Sequence, residues 1–398
     1  MISLKQTPVN GTKEYLPPEA ALRDYIEKVI AKTYVGHGFE RIYTPILEDL
    51  GNLDKSDGGE NLSLIFRILK RGDKFDKALL DGKDFADLGL RYDLTLPLAR
   101  FYANNRLKLP NPFKCIQIDR VYRAERPQKG RLRELKQCDI DILGSSSGNA
   151  ETELILVTVS ALKALGLTDI TVKINDRVFL NSRLLAAGVL PEQLQSVCIE
   201  LDKTDKIGQE GVLDELANKG VLKNVRDVLF DTIRSGGDEA KNLNKIIADV
   251  RELSSVNIEH DPFLVRGQGY YTGSVFEIVS SKYHCSIAGG GRYDDMIGAF
   301  IDEKVPAVGF SIGFERIYDL LSESSFLVPK SKQRIVLFYE EKDFVQAFKD
   351  ARTLKTRANV CLQIMPKKLG KAIARAAEAE FDGYMIVGKD SEPTIFAH

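Results

Sequence analysis

Apolar residues at helical spacing alternate along the chain with shorter runs that are typical of strands. In residues 19–32 the apolar positions lie three or four residues apart, which predicts an amphipathic helix that begins after Pro17 and Pro18. Residues 41–47 have the composition of a strand instead. Pro45 within this run favours an edge or an interface, because proline cannot donate to a ladder.

The patterns change character twice along the chain. Helical patterns dominate residues 176–258, and strand patterns return after this stretch. We therefore predict a sheet-based domain in two parts, 1–175 and 259–325, with a helical insertion domain at 176–258 between them. Strands alternate with helices in residues 333–398, which predicts a small α/β domain with a mainly parallel sheet. The predicted fold class is α+β.

The charge and cysteine content set broad limits on the function. The 398 residues carry 56 Lys and Arg against 57 Asp and Glu, so the net charge of −1 excludes a protein coated with basic charge but permits a local basic site. No apolar run reaches the roughly 18 residues of a membrane span, and the N-terminus lacks a secretory signal core. The five cysteines are scattered without a C-x-x-C pair. We therefore expect a cytoplasmic protein without membrane association, and the four dispersed histidines leave any metal site unknown.

Positive charge is concentrated in residues 120–136, on a chain that is otherwise nearly neutral. Residues 127–130 have the composition of a hairpin tip, and side chains on a strand alternate between its two faces. One face of the first strand therefore carries Val121, Arg123 and Glu125. One face of the second strand carries Leu135, Gln137, Asp139 and Asp141.

Two interpretations of this polar face remain open. A run of charged residues is most often a solvated ribbon. Alternatively, arginines offer planar pairs of donors to phosphate and carboxylate groups, and carboxylates on the same face would bind an ammonium group. The second interpretation predicts a ligand that carries charges of both signs.

Three further segments combine glycine with arginine or tyrosine. In residues 264–273 glycines follow Arg266 and allow close approach of a ligand, although a buried strand with a bonded tyrosine hydroxyl is the commoner explanation. The triple glycine at 289–291 is typical of a turn but also fits backbone packed against a substrate. In residues 308–316 a strand passes into a helix, and Arg316 near its N-terminus is unfavourable unless an anion lies beside it.

Together these segments resemble the histidyl-tRNA synthetase family of class II aminoacyl-tRNA synthetases. The segments around Pro45, at 121–131 and at 309–316 resemble the three motifs of the class. The Arg-Gly-x-x-Tyr-Tyr-Thr-Gly run from Arg266 and the Gly-Gly-Arg-Tyr-Asp run from Gly290 resemble segments peculiar to the histidine enzymes. The resemblance covers nearly the whole chain.

The resemblance implies a catalytic domain built on an antiparallel sheet flanked by helices, with motifs 1 and 2 in 1–175 and motif 3 in 259–325. It implies an anticodon-binding-like domain at 333–398, which we expect to be shortened. The implied activity is a ligase reaction in which ATP activates L-histidine to histidyl-adenylate with release of pyrophosphate, and the histidyl group then passes to tRNA(His). The implied partners are L-histidine, ATP with Mg²⁺, tRNA(His) and a second copy of the chain in a homodimer.

The resemblance also implies roles for individual residues, including the substrate loop at 90–95. Activation needs positive charge and not a side-chain nucleophile, and the implied catalytic residues are Arg123 and Arg266. The implied histidine-binding residues are Asp93, Thr95, Arg123, Gln137, Asp141, Arg266, Tyr270 and Tyr271. The implied ATP-binding residues are Arg123, Glu125, Arg131, Leu135 and Arg316, with Glu125 at the adenine amino group and Arg131 and Arg316 at the distal phosphates.

Leu135 and the pair at 268–269 depart from the family pattern. Leu135 stands where the second motif usually has a phenylalanine that stacks on adenine, so we expect the apolar contact to remain and the aromatic face to be lost. Gln268 and Gly269 replace a Leu-Asp pair, which removes a carboxylate close in sequence to Arg266.

Two other functions fit part of the pattern. One is a catalytically silent paralogue that senses histidine, resembling the regulatory subunit of ATP phosphoribosyltransferase. Such a subunit typically lacks the catalytic arginines and the C-terminal domain, and both are kept here. The other is a non-catalytic RNA-binding module, which leaves the two histidine-specific segments unexplained. The joint presence of Arg123, Arg266 and Arg316 favours the active ligase.

Overall fold

A computed structural model describes residues 5–55, 61–126, 132–235, 241–266, 269–324, 326–329 and 332–396. The chain divides into two compact units, one made of Met1–Glu14 and Arg23–Ser325 and the other of Tyr15–Leu22 and Phe326–His398. None of the helices within the described ranges combines the length and the apolar composition that a membrane span requires.

Helices and strands alternate irregularly through residues 17–324. The helices are α1 (Pro17–Gly36), α2 (Leu50–Lys55), α3 (Asp73–Asp81), α4 (Thr95–Asn105), α5 (Asn149–Ala164), α6 (Arg177–Ala186), α7 (Leu194–Leu201), α8 (Thr204–Asn218), α9 (Lys223–Arg234), α10 (Lys241–Leu253), α11 (Gly298–Ile301) and α12 (Phe314–Glu323). The strands are β1 (Glu40–Arg41), β2 (Leu47–Asp49), β3 (Arg67–Leu69), β4 (Ala86–Leu90), β5 (Phe113–Tyr122), β6 (Glu134–Leu143), β7 (Ile170–Asp176), β8 (Asn257–His260), β9 (Ser274–Ser280), β10 (Tyr283–Arg292) and β11 (Ala307–Gly313).

An eight-stranded sheet with the order β1-β5-β6-β11-β10-β9-β7-β8 forms the centre of the first unit. Its neighbouring strands are antiparallel except at the two edges, where β1 pairs parallel with β5 and β8 parallel with β7. Helices α5 and α12 pack against β6 and β11. A separate small sheet has the order β2-β4-β3. The predicted α+β class, with a mainly antiparallel sheet flanked by helices, is confirmed.

The strand predicted at residues 41–47 is interrupted. β1 ends at Arg41 and β2 begins at Leu47, so the residues between them lie outside both strands. The guanidinium of Arg91 donates from Nη1 to the carbonyl oxygen of Thr44 at 2.8 Å, and the following proline has no N–H to donate. The Arg91 side chain therefore satisfies a backbone carbonyl group that would bond to a neighbouring strand if this strand were continuous.

Helices α6 to α9 share a hydrophobic core within the predicted insertion at 176–258. The core contains buried residues from each of the four helices, among them Leu184, Val197, Leu216 and Leu229. Val265, from the segment that precedes β9, is buried in the same core. Helix α10 packs instead against α5 and β8. The boundaries of the insertion, like those of the other domains, stay predictions.

The second unit is a small α/β sandwich. Its elements are β12 (Gln333–Tyr339), α13 (Phe344–Leu354), β13 (Ala358–Ile364), α14 (Leu369–Glu378), β14 (Gly383–Ile386) and β15 (Thr394–Ile395). β13, β12 and β14 are parallel, and β15 joins antiparallel to β14. Ile335 and Leu337 of β12 share a core with α13, whereas Val336 and Phe338 share one with α14. The alternation of strand side chains thus buries both faces of the sheet.

Candidate active site

A cavity of about 260 Å³ opens on one face of the main sheet of the first unit. Residues that lie directly opposite each other on neighbouring strands share a face of the sheet. Asp141 of β6 lies opposite Gly309 of β11, which lies opposite Gly291 of β10. The next row along the strands consists of Asp139, Ser311 and Gly289. The floor of the cavity therefore carries carboxyl groups on β6, whereas on β10 it consists of backbone without side chains.

The bare backbone of β10 makes room for side chains from another segment. A Cβ atom at Gly289 would lie 2.5 Å from Cζ of Arg266, and one at Gly291 would lie 2.8 Å from the ring of Tyr271. These separations are too short for any real Cβ contact, so a side chain at Gly289 would displace Arg266, and one at Gly291 would meet both Tyr271 and the carbonyl oxygen of Ser274. The triple glycine belongs to a strand and not to a turn, and its function is to let these side chains lie close to the sheet.

Three buried carboxyl groups crowd one end of the cavity: Asp93, Asp139 and Asp141. Burial raises the pKa of Asp93 to about 6 and the pKa of Asp141 to about 7. Burial, together with the charge of Asp141, raises the pKa of Asp139 well above its usual value. A cation placed among them would offset this repulsion and favour the ionised forms, so this end of the cavity suits an ammonium group.

Tyrosine rings form a wall beside the carboxyl groups. The rings of Tyr270 and Tyr271 meet edge to face with centroids 4.9 Å apart, and Tyr293 meets Tyr270 at 6.0 Å. The hydroxyl of Tyr270 lies 3.5 Å from that of Thr95, the first residue of α4. This combination of flat apolar surface and polar tips suits a small planar ring that carries hydrogen-bonding atoms.

Arginines line the cavity beyond the acidic end. Arg123 donates from Nε to the carbonyl oxygen of Tyr92 at 3.0 Å, and its Nη2 lies 3.5 Å from Oε1 of Gln137. Arg316, in the first turn of α12, donates to the carbonyl oxygen of Ser286. A guanidinium has five N–H donors, so each arginine can hold a carbonyl oxygen and a phosphate together.

Arg266 is fixed by an ion pair at the floor of the cavity. Its partner is Glu277 of β9, which lies directly opposite Gly289 in the ladder. Burial lowers the pKa of Arg266, but the charge and hydrogen bond of Glu277, together with Tyr271 and Asp202, outweigh this effect and hold the pKa above its usual value. Arg266 is therefore a permanent cation within reach of a bound anion.

The outer part of the cavity combines apolar and acidic groups. Leu135 and Phe314 both line it. Glu315 accepts two hydrogen bonds from Arg23 of α1, at 2.5 and 2.8 Å, and the guanidinium lies 4.6 Å from the centre of the Phe314 ring. These contacts tie α12 to α1 and fix the rim on which the cavity opens.

The predicted site residues come together in this one cavity. All of them line it except Arg131, which lies outside the described residues together with 127–130. Gln268 lies outside them as well. The polar face of β6 therefore lines a cavity and is not the outside of a solvated ribbon. The individual roles stay predictions.

Sequence reasoning missed several residues that line the cavity. Asp139 lines the cavity but is not among the predicted site residues, although its place on the same strand face as Asp141 is a signal for it. Tyr293 also lines the cavity and belongs to the Gly-Gly-Arg-Tyr-Asp run, but it is not among the predicted site residues. Ser311 and Phe314 stand within the segment that resembles the third motif, and the pairing of β11 with β6 brings Ser311 opposite Asp139.

The protein supplies no metal-binding cluster of its own in the parts that the structure describes. There, no group of three or more His, Cys, Asp or Glu side chains is arranged to hold a metal ion. Mg²⁺ is usually held by phosphate oxygens with one or two carboxylates and several waters. The residues present therefore fit a metal that arrives with the phosphates of a nucleotide.

The second unit has a basic groove of its own, with a volume of about 540 Å³. Lys367, Lys368, Lys371 and Arg375 line one side, and Lys371 and Arg375 are exposed one turn apart on α14. Gln363 of β13 lines the other side. The groove thus presents a cluster of positive charge.

Known proteins resemble this chain along most of its length. A family model described as histidyl-tRNA synthetase matches residues 11–317. The histidine--tRNA ligase of Leifsonia xyli subsp. xyli is 40% identical over 97% of this chain and 96% of that protein. The histidine--tRNA ligase of Cytophaga hutchinsonii is 34% identical over 96% of this chain and 92% of that protein.

Solved structures share the fold of this chain over most of its length. The crystal structure of histidyl-tRNA synthetase from Nostoc sp. PCC 7120 matches with a TM-score of 0.78 and 26% identity, covering 96% of this chain and 91% of that one. A Bacillus halodurans structure, described as an ATP phosphoribosyltransferase regulatory subunit/histidyl-tRNA synthetase, matches with a TM-score of 0.76 over 96% of this chain and 98% of that one. Its 20% identity shows the fold alone. The family model and the curated relatives show that the chain belongs to the histidyl-tRNA synthetase family.

Proposed function

We propose that this protein is a histidine--tRNA ligase, which activates L-histidine with ATP and transfers the histidyl group to tRNA(His). One observation carries this proposal: a single cavity joins an acidic, tyrosine-walled end to a rim of arginines. Free histidine carries a cationic amino group, a planar imidazole and a carboxylate, and ATP adds phosphates. The acidic, tyrosine-walled end matches the ammonium group and the imidazole, and the arginines match the carboxylate and the phosphates.

The amino acid lies at the acidic end in this proposal. Asp93 and Asp141 accept hydrogen bonds from its ammonium group and its imidazole, with Thr95 and Gln137 beside them. The rings of Tyr270 and Tyr271 pack against the imidazole. The histidine carboxylate then points toward the arginines, where ATP binds.

Activation is a displacement at the α-phosphorus of ATP. A carboxylate oxygen of histidine forms the new P–O bond, and the bond to the bridging oxygen breaks, so pyrophosphate leaves with the electron pair. Arg123 and Arg266 stabilise the negative charge that develops at the α-phosphate and hold the two anions together. Arg316, with Arg131, binds the distal phosphates. Mg²⁺ would be held by the phosphate oxygens of ATP and would neutralise part of the phosphate charge.

Transfer to tRNA completes the reaction. A hydroxyl at the 3′ end of tRNA(His) attacks the carbonyl carbon of histidyl-adenylate, and AMP leaves. The basic groove of the second unit supports binding of the tRNA backbone, because the Lys371 and Arg375 side chains offer two cations on one helix face.

The family further supports a homodimer and a cytoplasmic location. Tyr43 and Ile46, between β1 and β2, and Leu47, at the start of β2, are exposed, with 69, 38 and 51% of their surface accessible. An apolar strip of this kind next to a sheet edge favours pairing with a second copy. Sedimentation of the wild-type protein tests this, because a monomer at micromolar concentration contradicts it.

Histidine-dependent exchange of pyrophosphate into ATP tests the proposed activity. Exchange with histidine and none with other amino acids is the expected result, followed by charging of tRNA(His). The second candidate is a silent histidine-sensing paralogue, which the Bacillus halodurans likeness favours only at the level of fold. Histidine binding without exchange would establish that candidate and refute the ligase.

A further inference from the structure

Three consecutive residues before β9 are anchored in three different places. Leu264 is buried in the core beneath the cavity, with Tyr271 and Tyr293. Val265 is buried in the core of helices α6 to α9. Arg266 lines the cavity itself. The helical cluster and the predicted catalytic cation are therefore separated by one peptide bond, about 3.8 Å between Cα atoms.

The backbone of this segment is held firmly just before Val265. Asn175 of β7 is buried and donates from its single amide nitrogen to the carbonyl oxygens of Pro262 and Leu264, each at 3.0 Å. Phe263 packs against the helical core, with its ring centre 5.3 Å from that of Phe230 in α9. The main sheet thus fixes the start of the segment, and the helices α6 to α9 fix the next residue.

The head of Arg266 has only a narrow place to lie. Glu277 holds the guanidinium by an ion pair, and the space that receives it exists because Gly289 has no side chain. Asp202, which follows α7, is also close enough for its charge to act on Arg266. A small shift of the backbone at Val265 would therefore pull the guanidinium away from a place that fits it closely.

We propose that the helical cluster α6 to α9 positions the catalytic arginine, with Val265 as the positioning residue that locks Arg266 into the active geometry. This inference rests on the proposed ligase activity. Val265 touches no substrate in it. Its contribution is to restrict the conformations of the Arg266 backbone, so that the guanidinium is already positioned to contact the α-phosphate.

Val265→Ala tests the proposal, and Val225→Ala is its matched control. Val225 of α9 is the same residue type, is equally buried at 5% exposure and belongs to the same core, but it is distant in sequence from Arg266. Each substitution removes two methyl groups from the core of the helical cluster. In histidine-dependent exchange, we expect Val265→Ala to lower kcat by about 10- to 100-fold with little change in the KM for histidine, since a misplacement near 1 Å can cost that much. Val225→Ala is expected to keep the wild-type kcat.

The outcomes separate this inference from the proposed function. Wild-type protein without exchange would refute the ligase, whatever the variants do. An active wild type with equal kcat for both variants, whether both normal or both low, would refute the positioning role of Val265. Val265→Ile keeps an apolar contact with the helical core and is expected to keep the wild-type kcat. If Val265→Ala does not fold, Phe263→Leu, which trims a half-buried contact with the same core, takes its place under the same criteria.

Discussion

The hydroxyl of Tyr293 donates a 2.6 Å hydrogen bond to Oδ1 of Asp141 across the bare backbone of Gly309. A Cβ atom at Gly309 would collide with this carboxylate and lie 3.2 Å from the tyrosine ring. Burial raises the pKa of Asp141, this hydrogen bond lowers it, and the net pKa is about 7. The bond thus keeps a buried carboxyl group ionisable near neutral pH.

Tyr293→Phe is therefore expected to weaken histidine binding in a pH-dependent way. Loss of the donor raises the pKa of Asp141, so a larger fraction is protonated at neutral pH and unable to attract an ammonium group. The KM for histidine in pyrophosphate exchange should rise severalfold near pH 7, and the difference from wild type should shrink as the pH rises to about 9. Tyr102→Phe, in the same apolar core, is the control. A difference that is constant with pH would contradict the ionisation of Asp141.

Arg266→Ala is expected to separate binding from chemistry. Removal of a cation that acts at the α-phosphate should lower exchange by about 10²- to 10³-fold. Histidine binding, measured by calorimetry, should remain largely intact because the ammonium and imidazole contacts lie elsewhere. Equal loss of binding and exchange would mean that Arg266 is a structural residue.

Adjacent glycines of β10 are expected to respond differently to alanine. A methyl group at Gly289 meets the guanidinium of Arg266, which can move aside, so Gly289→Ala should fold and lose exchange. A methyl group at Gly290 meets the carbonyl oxygen of Gly309 and lies 2.8 Å from Cα of Phe310, and this backbone cannot yield. Gly290→Ala should therefore lower the melting temperature markedly. Similar melting temperatures for the two variants would contradict this assignment.

Leu135→Phe is expected to tighten ATP binding. Leu135 lines the outer part of the cavity, and an aromatic ring stacked on a nucleic-acid base contributes about 1–3 kcal/mol. A gain of 1 kcal/mol corresponds to an affinity about fivefold higher. The KM for ATP should fall accordingly, with the KM for histidine unchanged as an internal control. An unchanged KM for ATP would refute the placement of adenine beside Leu135.

Charge reversal in the basic groove is expected to affect only the tRNA step. The double variant Lys371→Glu and Arg375→Glu should raise the KM for tRNA(His), most strongly at low salt, and leave pyrophosphate exchange unchanged. The exposed pair Lys349 and Arg352 on α13 offers a control of equal charge change. Equal effects of both double variants would indicate a general electrostatic contribution of the second unit and not a tRNA site.

Much of the fold followed from local patterns. The α1 helix, the passage of β11 into α12 and the alternating elements of residues 333–398 were all predicted from spacing and composition. The strand at 41–47 was predicted wrongly as continuous, because a distant side chain, Arg91, binds the carbonyl oxygen of Thr44. Local sequence contains no information about a partner that lies 47 residues away.

The sequence by itself determined the chemistry of this protein: arginines for anions, carboxyl groups for an ammonium, and glycines where backbone must lie bare. Only the tertiary structure decided how these groups meet. The register of β6, β11 and β10 brings Asp139, Ser311 and Gly289 into one row. The three residues lie on separate strands, and Asp139 is more than a hundred residues from the other two in sequence. The helical core that holds Val265 beside Arg266 is likewise a product of packing. Side-chain type is a local property, whereas burial, pKa and pairing depend on which strands become neighbours.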